Sequence, residues 1–412
     1  MQLKSNTILA QLTVASLSCL GVSGAFAAEW ELDSAVLLYS EKDRVNAVEP
    51  AVNLKRTAED GSVLGIKLVV DSLTGASPNG ATAANQPQTF TTPSGKDTYT
   101  TPAGEIPLDD TFKDTRGQLS LSYDAPLSSG NRYTLGANLS SEYDYASASL
   151  SGGMTHYFNQ KNTALNWGLS LAFDQADPVG GVPVGSTDTQ LRLRDGQSDT
   201  RTSVEALFGI TQILDKNSLI QLNFGLASSS GYHTDPYKLV SLLDANGDPT
   251  AYYYENRPDS RLRAYLYANY RRHLSWGDTV ETAYRLASDD WGILSHTLDA
   301  KYRWNLSERW ALTPRLRFYQ QSAADFYTHH LNSVPSAGET LSADSRLASL
   351  QGITVGAKLS YQLSSKQELS LRLEQYEQSA DDSADQPGVQ AQLPQSSDLS
   401  ATIVQFGYKL RF

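Results

Sequence analysis

Sulfur is nearly absent from this sequence. Its 412 residues include one cysteine, Cys19, and two methionines. A single cysteine forms no intramolecular disulfide and cannot supply the paired thiolates of a structural zinc site. Disulfide-stapled scaffolds and zinc-finger classes are therefore excluded.

Long apolar runs are also missing. After residue 28, no stretch reaches the roughly 18 consecutive apolar residues that a membrane-spanning helix needs. Excess positive charge is missing too. The formal net charge is −12, and this acidic balance argues against nucleic acid as a partner. Tyrosine, in contrast, is abundant at 22 residues. This composition is typical of a soluble all-β protein or of a transmembrane β-barrel, and residue periodicity has to decide between them.

The first 27 residues have the layout of a secretory signal peptide. One cation, Lys4, precedes a short apolar stretch at 8–22, and an Ala-Phe-Ala sequence ends at Ala27. A membrane anchor is the weaker interpretation, because serines interrupt the apolar stretch. The sequence predicts export, with 1–27 removed and 28–412 forming one domain.

Strict alternation of apolar and polar residues recurs along that domain. From Val404 to Phe412, apolar residues occupy every second position, and polar residues or glycine lie between them. Side chains alternate between the two faces of a strand, so each such segment has one apolar and one polar face. About nine to eleven alternating residues suffice for a tilted strand to cross a bilayer. Sixteen strands are predicted: 30–40, 45–56, 62–72, 116–125, 132–143, 145–157, 163–174, 200–213, 218–230, 259–272, 278–289, 293–305, 309–321, 346–363, 366–377 and 399–412.

The connections between these strands sort by length. If the first strand starts at the periplasmic side, all short turns fall on that side and all long loops on the other, as in outer-membrane barrels. The fold prediction is an all-β transmembrane antiparallel barrel of about sixteen strands. The predicted periplasmic turns are 58–61, 126–130, 159–162, 214–217, 274–278, 305–309 and 363–366. The predicted long outer loops are 73–115, 175–199, 231–258, 323–345 and 379–397.

Aromatic residues support this orientation. Trp30, Trp304 and Trp310 fall at periplasmic strand ends and Trp291 at the opposite rim, where an indole favours the bilayer boundary. The last strand resembles the signal by which barrel-insertion machinery recognises outer-membrane proteins. Its predicted signal residues, the first three expected to face lipid, are Phe406, Tyr408, Leu410 and Phe412.

Three positions depart from ideal strands. Pro50 and Pro314 each remove a backbone donor from a predicted strand, which predicts a bulge or a shifted boundary. Around Gln351 and Gly352 the apolar parity switches, which also predicts a bulge.

Alternation assigns many cations to one wall of the lumen. The lumen-facing basic residues of the four strands between 259 and 321 are Arg261, Arg263, Arg271, Arg285, Lys301, Arg303, Arg315 and Arg317, against three acidic residues, Glu281, Asp289 and Asp299. The longest loop, 73–115, carries Glu105, Asp109, Asp110 and Asp114 and is long enough to fold inward. Opposed charges would set a transverse field that selects polar solutes. The alternative is that the charges pair with each other and fill the lumen.

Catalytic and metal sites have weaker support. Ser295 and His296 follow Asp289 and Asp290, but alternation puts Ser295 in the lumen and His296 on the lipid face, where they cannot act on one atom. His329 and His330, with Asp325 and Asp344 as further ligand types, lie on a loop, where such side chains are more often solvated. No catalytic residue, metal or cofactor is predicted. The last outer loop, 379–397, carries three further acids, Asp381, Asp382 and Asp385. They are candidate ligands for cations that bridge lipopolysaccharide, or they simply keep the outer surface soluble.

Several short motifs resemble a family of bacterial outer-membrane barrels catalogued only as a domain of unknown function. They are DSLTGASPNGA (71–81), DTR (114–116), DPYK (235–238), RPDSR (257–261), DDWGILSH (289–296), ADFY (324–327) and DSRLA (344–348). The resemblance implies a Gram-negative outer-membrane barrel and no activity. It also implies relatives encoded near a small lipoprotein, a thioredoxin-like protein and a flavin transferase. The sequence thus predicts a porin-like channel for small polar solutes, with a scaffold for a partner of an extracytoplasmic redox system as the alternative.

Overall fold

A computed structural model describes residues 29–92, 97–380, 386–395 and 398–412, without the side chains of 110–112. The predicted signal peptide and the loop acids Asp381, Asp382 and Asp385 lie outside the described residues. Within the described part, no helix is long and apolar enough to cross a membrane.

Sixteen antiparallel strands close into a barrel, as predicted. The barrel strands, in ring order, are β1 (Glu29–Glu41), β2 (Asn46–Thr57), β3 (Val63–Pro78), β6 (Leu108–Pro126), β7 (Arg132–Ser141), β8 (Tyr145–Phe158), β9 (Thr163–Ala176), β10 (Asp199–Asp215), β11 (Ser218–Gly231), β14 (Ser260–His273), β15 (Thr279–Asp289), β16 (Leu294–Asn305), β17 (Trp310–Gln321), β18 (Leu350–Ser364), β19 (Gln367–Ala380) and β20 (Leu399–Arg411). Two hairpins lie in the outer loops: β4 (Gln88–Thr91) with β5 (Thr98–Thr101), and β12 (Leu239–Leu243) with β13 (Pro249–Tyr254). Four short 3-10 helices complete the described structure: Asn159–Lys161, Thr189–Leu191, Ser345–Leu347 and Gly388–Gln392.

The strand register confirms which face of each strand meets lipid. Leu298 lies opposite Phe318, and the two side chains are 48% and 38% exposed on the outer surface. One residue further along, Asp299 lies opposite Arg317 on the inner surface. Hydrocarbon therefore contacts the apolar parity and the aqueous lumen contacts the polar parity.

The barrel closes where the first strand meets the last. Val36 lies opposite Phe406 on the lipid face, and Asp33 lies opposite Lys409 on the lumen face. Trp30 and Phe412 exchange two backbone hydrogen bonds of 2.9 Å. Closure leaves no unpaired strand edge, as a bilayer requires.

The connections have the predicted polarity, with short turns at the periplasmic end and long loops at the outer end. The longest loop is shorter than predicted. β3 continues to Pro78 and β6 begins at Leu108, so the loop spans 79–107 rather than 73–115. Asp109 and Asp114 therefore lie on the outer extension of β6 and not in the loop.

The predicted bulges at Pro50, Pro314 and Gln351–Gly352 are wrong. Pro50 pairs normally with β1, and only its pairing with β3 is interrupted, without a register shift. Pro314 likewise pairs with β18 while its pairing with β16 is interrupted. Because an N–H group faces only one neighbouring strand, its absence opens the hydrogen-bond ladder on one side alone. At Gln351 and Gly352 the ladder is continuous, and the parity switch arises because Leu350 faces inward and is buried.

Candidate functional site: the lumen and its outer cap

The predicted basic wall is present on the lumen face of β14–β17. The register assigns all eight cations to the inner parity of these four strands: Arg261, Arg263, Arg271, Arg285, Lys301, Arg303, Arg315 and Arg317. About half of the wall is neutralised by carboxylates. The pairs are Arg261 with Asp289 (Nε–Oδ2 2.9 Å), Arg271 with Glu281 (2.7 Å), Lys301 with Glu281 (3.4 Å), and Arg315 with both Asp299 (Nε–Oδ2 3.0 Å) and Glu374 (3.1 Å).

The other half of the wall remains positively charged. Among the described residues, Arg263, Arg285 and Arg303 make no ion pair, and all three are exposed to the lumen. Arg317 approaches Asp299 only to 3.9 Å and its side chain is 46% exposed. The two predicted interpretations, a charged wall and mutually paired charges, each hold for part of the wall.

A tyrosine positions one of these arginines. The guanidinium of Arg285 lies 4.8 Å from the ring centroid of Tyr265, which is within cation–π range. The Tyr265 hydroxyl donates to Glu205 at 2.8 Å. A Cβ on the opposite residue, Gly225, would lie 2.1 Å from the Tyr265 ring. Glycine at 225 therefore allows the ring to lie flat against the wall.

Carboxylates gather on the opposite side of the ring. β3 is third and β15 eleventh in the ring of sixteen, so the two strands are eight positions apart and face each other. Buried Asp71 of β3 accepts from Arg116 of β6 (Nε–Oδ2 2.6 Å). At the outer rim, burial and a hydrogen bond with Asp114 raise the pKa of Glu142 to about 7.

The predicted acidic loop residues are dispersed. Glu105 is exposed in the 79–107 loop, Asp109 is buried on β6, and Asp114 faces the lumen at the rim. The side chain of Asp110 lies outside the described part of the chain. The acidic side is thus carried mainly by strands, and alternation in the predicted strand 62–72 could have identified Asp71.

A cavity of about 1380 Å³ occupies the lumen beside β1–β3 and β6–β10. Residues of both parities line it, and those of inward parity include several small side chains: Ala35, Ala51, Ser140, Ser147 and Gly407. At about 30 Å³ per water molecule, this volume holds several dozen waters. The lumen therefore has room for small solutes below the outer loops.

The long outer loops fold together into a cap across the outer mouth. Hairpin β12–β13 lies at its centre and bonds to four other loops through Asn79, Thr187, Leu331 and Gln390. The 79–107 loop and this hairpin emerge six positions apart in the ring, so their contact reaches across the opening. Sequence reasoning missed the cap, because loop-to-loop contacts leave no periodic signal.

A buried ionic network holds the cap together. Glu255 is fully buried and forms an ion pair with Arg257 at 2.6 Å. Arg257 also donates to buried Asp344 at 2.8 Å. Arg346 joins Asp344 to Asp235 at 2.8 Å on each side. The network ties the 232–259 loop to the 322–349 loop.

The family-like motifs converge on this cap. All network residues except Glu255 belong to DPYK, RPDSR and DSRLA, and Lys238 of DPYK donates to the backbone oxygen of Pro78 in DSLTGASPNGA. Beside the network, residues of DDWGILSH, ADFY and DSRLA form one apolar cluster of Trp291, Ile293, Ala324 and Leu347. The motifs are far apart in the sequence, and only the fold shows that they lie in contact.

Trp291 corrects one prediction. It lies at the outer rim, but it is 4% exposed and packs in this cluster instead of at the bilayer boundary. Its indole N–H donates to the Ser260 backbone oxygen at 2.8 Å, and the Arg261 guanidinium lies 4.2 Å from the centre of its ring.

The residues considered for other chemistry are dispersed as well. Ser295 faces the lumen and His296 faces lipid, where it bonds to Tyr284 at 2.7 Å. His329 and His330 lie in the cap. Within the described ranges, no three His, Cys, Asp or Glu side chains are grouped to hold a metal ion.

The network predicts a pH-dependent cap. Burial raises the pKa of Glu255 from 4.5 to about 7, although Arg257 opposes the shift. A raised carboxyl pKa gives stability that is present below pH 4.5 and lost as pH rises through 7, a loss of up to roughly 3 kcal/mol. Burial opposes ionisation of Asp344, but Arg346 outweighs it and holds that pKa well below its usual range, so its contribution is lost only in acid. We expect hydrogen-exchange protection of β12–β13, corrected for intrinsic exchange, to fall between pH 5 and 8.

Glu255→Gln is the matched control for this pH dependence, because it keeps the side-chain shape and removes the titration. Its protection should be nearly constant from pH 5 to 8. Equal slopes in the two proteins would show that another group controls the cap.

Comparison with known proteins adds the following. A family model described as "Protein of unknown function (DUF3570)" matches residues 9–410, which confirms the resemblance drawn from the motifs. No curated protein matches the chain significantly. Among solved structures, the outer membrane protein OpdK from Pseudomonas aeruginosa aligns with TM-score 0.40 and 10% identity over 93% of this chain and 99% of that one. CdiB from Acinetobacter baumannii aligns with TM-score 0.46 and 8% identity over 93% and 60%. The toluene transporter TodX from Pseudomonas putida aligns with TM-score 0.37 and 10% identity over 94% and 90%.

Proposed function

The chain belongs to the DUF3570 family of proteins of unknown function, and we propose that it is an outer-membrane channel that passes small polar solutes and prefers anions. The observation that carries this proposal is the set of exposed arginines on the basic wall without carboxylate partners among the described residues. Arg263 lies near the outer end opposite Asp289, Arg285 lies at mid-height opposite Tyr267, and Arg303 lies near the periplasmic end opposite Thr279. A solute anion thus meets a guanidinium at each level of the lumen.

The acidic side strengthens the selection. Asp114 and Glu142 lie at the outer rim across the lumen from the basic wall, so the two sides set a transverse field there, whereas Asp71 is paired with Arg116. A dipolar or anionic solute is oriented by such a field, whereas a cation is repelled from the exposed arginines. The cavity beside the acidic side leaves room for the body of the solute.

Location follows from the same proposal. The 1–27 segment exports the chain, and insertion machinery of the outer membrane reads the last strand. Phe406, Tyr408 and Leu410 share the lipid face of β20, and Phe412 stacks its ring against Trp30 at 6.4 Å. The partners in this proposal are outer-membrane lipid and lipopolysaccharide.

One observation favours the alternative function, a scaffold for a partner such as a small lipoprotein of a redox system. The cap crosses the outer mouth, so a lumen closed on that side would open only to the periplasm. In that case the barrel would house a periplasmic partner.

Planar-bilayer recording tests the proposal. In a KCl gradient we expect steady single-channel conductance and a reversal potential that reports chloride preference. The triple variant Arg263→Gln, Arg285→Gln and Arg303→Gln should lower the chloride-to-potassium permeability ratio several-fold. Arg192→Gln removes one positive charge from the exposed outer surface instead of the lumen and should leave the ratio unchanged.

Two results would contradict this proposal. Cation preference in the unmodified protein contradicts the role of the exposed arginines. Absence of conductance, together with co-purification of a small lipoprotein from native membranes, would replace the channel by the scaffold.

A further inference from the structure

The basic wall carries aromatic rings beside its exposed arginines. Tyr319 lies in one cross-strand row with Arg285, separated from it only by Thr297 of β16. Tyr376 lies in one row with Arg317, separated by Thr354 of β18. Adjacent strands are about 4.8 Å apart, so each arginine is within side-chain reach of a tyrosine ring.

The two rings are also neighbours in register. Tyr319 lies opposite Gly352, and Gly352 lies beneath the Tyr376 ring. We call Arg285, Arg317, Tyr319 and Tyr376 the arginine–tyrosine patch.

A glycine gives the patch a flat surface. A Cβ on Gly352 would lie 2.8–2.9 Å from the hydroxyl and a ring carbon of Tyr376. The ring therefore lies over Gly352, one face toward the backbone and the other toward the lumen. Its hydroxyl donates to Gln378 at 2.8 Å, which fixes the ring along the wall. A fixed, half-buried ring is a preorganised stacking surface.

Both cations lack a close carboxylate partner. Arg285 makes no ion pair within the described residues and rests on the Tyr265 ring at 4.8 Å, and Arg317 is 3.9 Å from its nearest carboxylate oxygen. A guanidinium binds a carboxylate through two parallel N–H donors. An aromatic ring next to it binds a planar apolar group at ring-centroid distances of about 4.5–7 Å.

We propose that the arginine–tyrosine patch binds small aromatic carboxylates of the benzoate class. The solute carboxylate binds Arg317, with Arg285 adding positive potential, and its ring stacks on Tyr376 beside Tyr319. The inference rests on the proposed channel function, because it names the solute class that the channel selects. Simple anions lack the ring contact, and neutral aromatics lack the ionic contact, so both bind more weakly.

The test measures binding without transport. Full-length barrel in detergent is titrated with 4-fluorobenzoate, and fluorine NMR line broadening reports the bound fraction. We expect benzoate to compete, and acetate and benzyl alcohol to compete at least about tenfold less well, since each lacks one of the two contacts.

Variants locate the site. Arg285→Gln with Arg317→Gln, and separately Tyr376→Leu, should weaken binding by about tenfold, the loss expected for one charge-assisted or stacking contact. Arg192→Gln removes an exposed arginine from the 177–198 loop, outside the basic wall, and should have no effect. Heat-modifiable migration in gels verifies that each variant is a folded barrel.

The outcomes separate this inference from the channel proposal. Equal competition by acetate and benzoate, or full binding in the patch variants, overturns the aromatic carboxylate site. Conductance without benzoate binding rejects the patch and retains the channel. Benzoate binding without conductance supports the patch and rejects the channel.

Discussion

Replacing Arg257 by leucine is expected to weaken the outer cap by about 3–5 kcal/mol, the usual cost of removing one partner from a buried ion pair. Arg257 lies between Glu255 and Asp344, which are 0% and 2% exposed. Without the guanidinium, two buried carboxylates face each other with less compensation. A local opening equilibrium should therefore rise by about two orders of magnitude or more.

Hydrogen exchange of β12 and β13 measures this loss. The barrel strands are held by their own ladders, so we expect protection in β14–β17 to change little. Glu255→Gln in the Arg257→Leu background should recover part of the protection, because it removes one of the unpaired charges. Arg192→Leu, on the exposed surface of the 177–198 loop, is the control and should be neutral. Unchanged exchange in β12–β13 after Arg257→Leu would show that apolar packing alone holds the cap.

The barrel itself could be predicted from the sequence because its signal is local. In Leu294–Leu306 each second residue except His296 is apolar, and this pattern alone determines which side chains face lipid. The same pattern explains why the predicted strand 62–72 is shorter than β3. Beyond residue 72 the strand leaves the membrane and no longer needs an apolar face, so the alternation disappears while the backbone ladder continues to Pro78.

Pairing between charges could not be predicted from alternation. Arg315 and Arg317 have the same parity and are equivalent in sequence terms. In the structure Arg315 binds Asp299 and Glu374, whereas Arg317 is exposed to the lumen. The difference comes from Glu374, which lies two strands away on β19 and was absent from the predicted wall. Charge reversal at Arg315 would disturb a buried network, and exposed Arg285 and Arg317 are better probes of selectivity.

Replacing residues 240–253, most of the β12–β13 hairpin, by a short Gly-Ser linker is expected to raise single-channel conductance several-fold. The hairpin bonds to the 79–107, 177–198, 322–349 and 386–395 loops at once, so it is the element that joins them over the mouth. Both Lys238 and Glu255 remain in this variant, and β11 and β14 keep their full register. The barrel should therefore close as before while its outer opening widens.

The control exchange, Asn332 to Val334 for Gly-Gly-Ser, alters an exposed part of the cap and should leave conductance unchanged. Equal conductance in the deletion variant and the unmodified protein would show that solutes pass beside the hairpin and that the narrowest point lies deeper in the lumen. Conductance only after deletion would identify the cap as a closed gate that the ionic network holds shut. Absence of conductance in both proteins would show that the cap is not the obstacle. The lumen would then have to be filled, as a scaffold for a bound partner requires.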